Sequence, residues 1–182
     1  MRFIAAILIA LSLTGCSNFD EDTVQNLNGG KVDVIGHGGS GIPSVSDPIQ
    51  INSERSIVLA LEGFFADGVE VDVQMSADSI LFLYHDEQLD TKTTCHGCIA
   101  SLTAEEIAQC PYWYGIDDLD GNQDNIITLD FILSRYSSRE NPPSFYLDCK
   151  AANFCDEGLY TDLSAMAVQL SEVIERHNAY DW

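Results

Sequence analysis

The clearest hydrophobic pattern in the chain lies in residues 68–75. Apolar and polar side chains alternate strictly there, with Val69, Val71, Val73 and Met75 against Glu70, Asp72 and Gln74. A period of two predicts a β-strand with one apolar face and one acidic face. Neighbouring carboxylates on one face repel each other and are costly to desolvate, and a divalent cation would relieve both costs. The strand is therefore predicted to carry part of a hard-metal site.

A second apolar run, residues 80–84, begins after a link of only four residues, 76–79. A parallel crossover needs a dozen or more residues, so the second run is predicted to return antiparallel to the first. The return would bring His85 and Asp86 back towards the carboxylates of the acidic strand. The hairpin therefore predicts a titratable imidazole beside the metal site.

The segment before this hairpin predicts an α/β fold. Residues 31–36 alternate and then become apolar, which indicates a first strand that leads into His37 and a glycine-rich loop. A helix capped by Asn52 or Ser53 follows, with apolar positions at helical spacing. The order strand, helix, strand predicts a βαβ unit with a parallel pair of strands.

Later patterns predict two capped helices, another strand and a long helix. Thr103 and Thr128 each precede a helical pattern, and residues 159–177 form the long helix. In the predicted strand 144–150, Asp148 and Lys150 share a face, which adds a third carboxylate and a cation to the site. Three parallel strands with acids at one end predict part of a closed barrel, because an open piece would leave a strand edge bare. We therefore expect a longer protein, or another element over that edge.

The charge balance narrows the classes of partner. The 182 residues have an ordinary hydrophobic content of 46%, but 29 acidic against 8 basic residues give a formal net charge of −21. Such a field repels nucleic acids and anionic membrane surfaces, which argues against a nucleic-acid-binding role. It also repels anionic substrates, so a site for a phosphate group would need a cation or local bases to offset the field.

The N-terminus has the pattern of an export signal. Arg2 precedes an apolar run that is too short to span a membrane, and residues 13–16 then resemble a bacterial lipobox. The interpretation divides the chain into a signal peptide at residues 1–15, a flexible tether at 16–30 and a domain at 31–182. Lipidated Cys16 would anchor an exported protein in the bacterial periplasm or at the cell surface. The alternative is an ordinary cleaved signal peptide with an incidental cysteine.

Three of the cysteines lie close together after the hairpin, at Cys95, Cys98 and Cys110. The pair Cys95 and Cys98 could be a redox pair or half of a zinc site, but the second half of a zinc site is missing. Because export permits disulfides, we expect a structural disulfide between two of the three. The spacing leaves the pairing open.

Taken together, these motifs resemble the glycerophosphodiester phosphodiesterase family. The resemblance covers about residues 32–150 and is carried by Ile35-Gly36-His37-Gly38-Gly39, Asn52-Ser53, Glu70-Val71-Asp72-Val73, Leu83-Tyr84-His85-Asp86 and Leu147-Asp148-Cys149-Lys150. It implies a TIM (β/α)8 barrel with an insertion after the second barrel strand, here at about residues 76–126. On this basis the chain carries about three of the eight barrel strands.

The resemblance also implies an activity, a cofactor and residue roles. The activity is metal-dependent hydrolysis of a small-molecule glycerophosphodiester to glycerol 3-phosphate and an alcohol. The implied acid/base pair is His37 and His85, and the implied ligands of a Ca²⁺ or Mg²⁺ ion are Glu70, Asp72 and Asp148. The implied substrate-binding residues are Lys150, Asn52 and Gly38.

Three departures from the family pattern keep alternatives open. Gly38 stands where most members have an arginine expected to contact phosphate, Asp148 replaces the usual glutamate, and the later strands of the barrel are absent. One alternative is a catalytically impaired surface lipoprotein that binds metal and phosphodiester or phosphate ligands. Another keeps the chemistry but takes phosphoinositide or sphingolipid head groups as substrates.

Overall fold

A computed structural model describes residues 28–44, 48–113, 124–150 and 162–180. The chain divides into two units, Met1–Val32 and Asp33–Trp182, and the helices and strands of the described residues lie in the second. In chain order they are β1 (Ile35–His37), α1 (Glu54–Val58), β2 (Gly68–Met75), β3 (Leu81–Leu83), α2 (Ala104–Ile107), α3 (Leu129–Tyr136), β4 (Ser144–Cys149) and α4 (Leu163–His177). The predicted signal peptide, Cys16 and most of the tether lie outside the described residues. Among those residues, no helix is both long enough and apolar enough to cross a membrane.

Strand β2 is the centre of the sheet. It pairs in parallel with β1, where Ile35 lies opposite Gly68, and with β4, where Asp72 lies opposite Asp148. Strand β3 returns antiparallel to the end of β2. The predicted α/β fold, the parallel strands and the antiparallel hairpin are therefore confirmed. Because β1, β2 and β4 are parallel, their carboxyl ends meet at one end of the sheet.

Strand β1 is shorter than the pattern predicted, and the prediction that it begins at residue 31 is wrong. The side chain of Asp67 accepts a hydrogen bond from the Val34 N–H at 2.9 Å, and the Asp67 N–H donates to the Val34 carbonyl at 2.9 Å. The turn before β2 therefore holds Val34, and regular pairing begins only at Ile35. The long helix α4 likewise begins later than expected, because Asp162 caps it by accepting from the Ser164 and Ala165 N–H groups.

Helices pack on the apolar face of β2 and form the main core. Helix α1 is capped by Ser53, whose side chain accepts from the Ser56 N–H, and it continues as a π-helical turn at Leu59–Gly63. The core contains, among others, Ile57, Ala60, Leu61, Val69, Val71, Val73, Leu129, Ile132, Leu133, Tyr136, Met166 and Val173. Each large aliphatic side chain buried in this way contributes roughly 1.5–3 kcal/mol. The acidic face of β2, with Glu70, Asp72 and Gln74, points away from this core.

The segment after β3 forms a second, smaller core. It includes Phe82, Tyr84, Leu89, Ile99, Ile107, Cys110, Tyr112 and Ile126. A disulfide joins Cys95 to Cys110, which confirms the expected structural disulfide and supplies the pairing that the spacing left open. Helix α2 begins with the predicted cap, a capping box between Thr103 and Glu106. This small core supports the loop that carries His85.

Candidate active site

Three carboxylates converge at the carboxyl end of the parallel strands. One oxygen from each of Glu70, Asp72 and Asp148 lies within 4.8 Å of the others. Strand periodicity places Glu70 and Asp72 on one face of β2, and the sheet register places Asp148 opposite Asp72. Carboxylate oxygens are the donors that hard cations such as Mg²⁺ and Ca²⁺ prefer. The residues therefore fit a divalent metal, as the alternating pattern predicted.

Asp72 is the buried member of this triad. Its side chain is only 1% exposed, and a buried carboxylate is costly unless it is paired and hydrogen-bonded. Asn52 Nδ2 donates to Asp72 Oδ2 at 2.7 Å, and Asn52 Oδ1 accepts from the Asp72 N–H at 3.0 Å. Asn52 is fully buried and has a positive φ of 64°. Asn52 thus orients a metal-ligand candidate, and the substrate contact that the resemblance implied for it stays a prediction.

Lys150 follows β4 directly and bridges two of the carboxylates. Its Nζ lies 2.7 Å from Asp72 Oδ1 and 2.6 Å from Asp148 Oδ2. Partial burial lowers the pKa of the Lys150 ammonium, but the bonds to Asp148 and Asp72 outweigh it and raise the pKa above its ordinary value. Lys150 therefore stays protonated at neutral pH and places a fixed positive charge beside the triad.

The end of β1 places His37 against the triad. His37 Nδ1 lies 2.8 Å from Glu70 Oε2, and the Gly38 N–H donates to the same oxygen at 3.2 Å. The Gly38 carbonyl accepts from the Asn52 N–H at 2.8 Å and from Ser56 Oγ at 3.0 Å. Both backbone polar groups of Gly38 thus bond inside the protein, and the substrate contact that the resemblance implied for Gly38 stays a prediction.

The backbone at Gly38 requires glycine. Its φ is +57°, and a Cβ built there would lie 2.6 Å from the Cβ of Ile51. A side chain at this position would clash and strain the backbone. The arginine that the family resemblance leads one to expect at this position therefore cannot be accommodated without moving the loop.

His85 lies on the loop after β3 and is half exposed. The Tyr84 N–H donates to the Asp72 carbonyl at 3.0 Å, and Gln74 Nε2 donates to the Tyr84 and Asp86 carbonyls at 2.7 and 2.8 Å. These bonds fasten the His85 loop to the acidic strand, as the short hairpin predicted. A pocket of about 720 Å³ is lined by Gln74, His85, Asp86, Glu87, Gln88, Thr91, Cys149 and Lys150. His85 and Lys150, which contacts two carboxylates of the triad, therefore line one pocket.

Asp86 holds the imidazole of His85. Asp86 Oδ1 lies 2.7 Å from His85 Nδ1, and Asp86 Oδ2 accepts from Thr91 Oγ1 at 2.5 Å. Burial raises the pKa of Asp86, but the hydrogen bonds from Thr91 and His85 bring it below its ordinary value. Sequence reasoning gave no role to Thr91, because a threonine in a polar loop carries no periodic signal. The clue to the pairing of His85 with Asp86 was that the two residues are adjacent in the sequence.

The parallel sheet gathers three carboxylates, a lysine and two imidazoles at the carboxyl ends of its strands. This arrangement defines part of an α/β barrel with a ligand site at that end. The sequence profile of the glycerophosphoryl diester phosphodiesterase family matches residues 61–179. The chain belongs to this family.

Similar proteins support the same fold. A Mycobacterium tuberculosis protein called "Probable glycerophosphodiester phosphodiesterase 1" is 29% identical over 89 residues, which are 47% of this chain and 32% of that protein. The crystal structure of glycerophosphodiester phosphodiesterase from Agrobacterium tumefaciens C58 matches with a TM-score of 0.61 and 23% identity, over 81% of this chain and 54% of that one.

A third relative was solved with a ligand. The Oleispira antarctica phosphodiesterase, in complex with the product sn-glycerol-3-phosphate, has a TM-score of 0.61 and 27% identity, over 80% of this chain and 53% of its own. This chain thus spans about a third of the length of the curated relative and about half of the length of the two solved structures. The predicted partial TIM barrel is confirmed.

Proposed function

We propose that the protein is a metal-dependent phosphodiesterase that releases glycerol 3-phosphate and an alcohol from glycerophosphodiesters. The observation that carries the proposal is the convergence of Glu70, Asp72 and Asp148, with His37 bonded to one carboxylate and Lys150 to the other two. Family membership and the product bound to the Oleispira antarctica relative support this substrate class.

Each residue has a physical task in this proposal. Glu70, Asp72 and Asp148 would hold Ca²⁺ or Mg²⁺, which when bound offsets the charge of the phosphodiester and lowers the pKa of a neighbouring hydroxyl. Protonated Lys150 adds a positive charge beside the phosphate. Carboxylates occupy Nδ1 of both His37 and His85, so Nε2 is the atom that exchanges a proton with the substrate.

The reaction that fits these tasks is an attack by the substrate on itself. One imidazole removes the proton of the glycerol hydroxyl next to the phosphodiester, and that oxygen attacks phosphorus. The bond from phosphorus to the alcohol oxygen breaks, and the other imidazole protonates the departing alcohol. Water then opens the cyclic phosphate to glycerol 3-phosphate, with the two imidazoles exchanging their roles.

The direct test is release of glycerol 3-phosphate from glycerophosphocholine by the purified protein. We expect release in the presence of Ca²⁺ or Mg²⁺, loss of release with a chelator, and recovery when the metal is returned, because the triad is the proposed metal site. A coupled enzymatic assay for glycerol 3-phosphate measures it. Release that persists undiminished in excess chelator, or no release with either metal, would contradict the proposal.

A second candidate is a protein that binds metal and phosphate ligands without turnover. Gly38 favours it, because the close approach of Ile51 excludes an arginine that would neutralise the phosphate. Calorimetric titration with glycerol 3-phosphate in the presence of Ca²⁺ distinguishes the two. Binding without any release from glycerophosphocholine would favour this second candidate over the first.

We also propose that the protein is exported and anchored by a lipid on Cys16, on the basis of the apolar run and residues 13–16. In bacteria that process lipoproteins, the wild-type protein should partition into the detergent phase of Triton X-114. A Cys16→Ser variant should move to the aqueous phase, because acyl chains supply the membrane affinity. Equal partition of the two proteins would contradict the anchor.

A further inference from the structure

A threonine hydroxyl supports the carboxylate that holds His85. Thr91 ends the 3₁₀ turn Leu89–Thr91, and its Oγ1 lies 2.5 Å from Asp86 Oδ2. The other oxygen of Asp86 lies 2.7 Å from His85 Nδ1. An ionised carboxylate offers acceptors only, so both the imidazole N–H and the threonine O–H donate to it. Thr91, Asp86 and His85 are thus hydrogen-bonded in this order, and His85 lines the same pocket as Lys150.

The small core holds Thr91 in place from the other side. Tyr84 is buried, and its hydroxyl lies 3.3 Å from Thr91 Oγ1 and 3.2 Å from the Gln88 carbonyl. Burial, with the nearby charge of Asp86 adding to it and the Thr91 hydrogen bond opposing it, raises the pKa of Tyr84 to about 12, so its hydroxyl keeps its proton. The Tyr84 ring stacks on Tyr112 with centroids 6.1 Å apart.

The disulfide fixes the chain segment that follows Thr91. Thr93 forms an isolated β-bridge with Tyr112, and Cys95 is bonded to Cys110 on the same pair of segments. The position of Thr91 is therefore set by covalent and buried contacts, whereas His85 itself is half exposed. A half-exposed imidazole samples several rotamers and both neutral tautomers unless a neighbouring group restrains it.

We infer that Thr91 is a positioning residue which acts through Asp86 to hold His85 in the Nδ1–H tautomer. This leaves Nε2 as the proton-exchanging atom in the pocket. The kinetic consequence rests on the proposed phosphodiesterase function, but the effect on the imidazole does not. Removal of the Thr91 hydroxyl frees one oxygen of Asp86 and lets the carboxylate rotate away from His85.

The first test is a ¹⁵N NMR spectrum of the imidazoles, which number four in this chain. We expect Thr91→Val to shift the His85 ring nitrogens from the pattern of an Nδ1–H tautomer towards the mixed tautomers of a free imidazole, and Thr91→Ser to keep the wild-type pattern. A His85→Gln variant assigns the resonances. His177 on helix α4, whose Nε2 lies 3.0 Å from Asp130 Oδ1, is the internal reference that should not move. An unchanged His85 spectrum in Thr91→Val would overturn the inference.

The second test is kinetic, with Thr94→Val as the matched control. Thr94 is an exposed threonine in the same loop, and its hydroxyl makes no hydrogen bond among the residues that the structure describes. Thr91→Val should lower kcat by ~10- to 100-fold with little change in KM, as loss of a group that orients a functional ligand does. Thr91→Ser should recover most of the activity.

The two tests separate this inference from the proposed function. If Thr91→Val shifts the His85 spectrum but the wild-type protein shows no turnover, the result would support the positioning role and count against the phosphodiesterase. A kcat in Thr91→Val equal to that of Thr94→Val, in an active enzyme, would overturn the positioning role. A thermal melt of each variant confirms that the compared proteins are folded.

Discussion

Replacing His37 or His85 with alanine is expected to lower kcat/KM for glycerophosphocholine by at least ~10²-fold and up to ~10⁴-fold, the usual contribution of a positioned acid or base. Each imidazole is held through Nδ1 by a carboxylate, His37 by Glu70 and His85 by Asp86. Each therefore offers its second nitrogen to a ligand. Steady-state kinetics of the two single variants and the double variant measure the loss.

The matched control is His96→Ala. His96 also pairs with a carboxylate, Asp90, but it does not line the pocket of His85 and Lys150. The His96→Ala variant should retain activity within about twofold of the parent, since surface substitutions away from a site are usually near neutral. If His37→Ala or His85→Ala kept activity within about tenfold of the parent, the acid/base assignment would be wrong. A double variant no worse than either single variant would show that the two act as a unit.

The metal triad could be predicted from the sequence because it depends on local rules. Strand periodicity alone puts Glu70 and Asp72 on one face, and a link of four residues forces the antiparallel return that carries His85. Predicting the position of Asp148 beside Asp72 required one further inference, that the two strands are parallel, which follows from the order of the elements. Helix caps at Ser53, Thr103 and Thr128 are equally local, and the structure has all three.

What the sequence could not supply depends on contacts between distant segments. The role of Asn52 requires that its amide meet Asp72, 20 residues away, and that its backbone adopt a positive φ. The pairing of Cys95 with Cys110 rather than Cys98 depends on how the segment after β3 folds around the small core. The late start of β1 follows from a side-chain bond of Asp67 that no propensity encodes. These contacts hold in place a site whose carboxylates the strand alternation had already predicted.

The backbone geometry of Gly38 also depends on contacts between distant segments. The family resemblance predicted a substrate contact from position in the motif, which stays a prediction. The packing of Ile51 and the bonds to Glu70, Asn52 and Ser56 could not be read from that position. The Gly38 N–H fixes the oxygen of Glu70 that also holds His37. The geometry of this loop therefore orients the His37 imidazole and the Glu70 carboxylate, and in the proposed mechanism Lys150 and the cation supply the positive charge near the phosphate.

The Asp72→Asn substitution should affect metal binding more than any other single change in the triad. Asp72 is the most buried of the three ligands, and loss of its charge removes a close Coulombic attraction in a region of low dielectric. We expect Ca²⁺ affinity, measured by calorimetric titration, to fall at least ~10²-fold, which is about 2.7 kcal/mol. Turnover should fall at least as far, because a bound cation supplies several kcal/mol of charge stabilisation.

Glu172→Gln is the control for the loss of one negative charge. Glu172 lies on the exposed face of α4, so its replacement changes the net charge equally but should leave Ca²⁺ affinity within about twofold, because exposed charges are screened. The new amide of Asp72→Asn can still accept from Asn52, but its N–H₂ group would face the Lys150 ammonium. That contact of two donors should cost about 1–3 kcal/mol of folding stability, which a thermal melt detects. Unchanged Ca²⁺ affinity in a folded Asp72→Asn protein would show that the cation does not bind at these carboxylates, and the proposed mechanism would lose its metal.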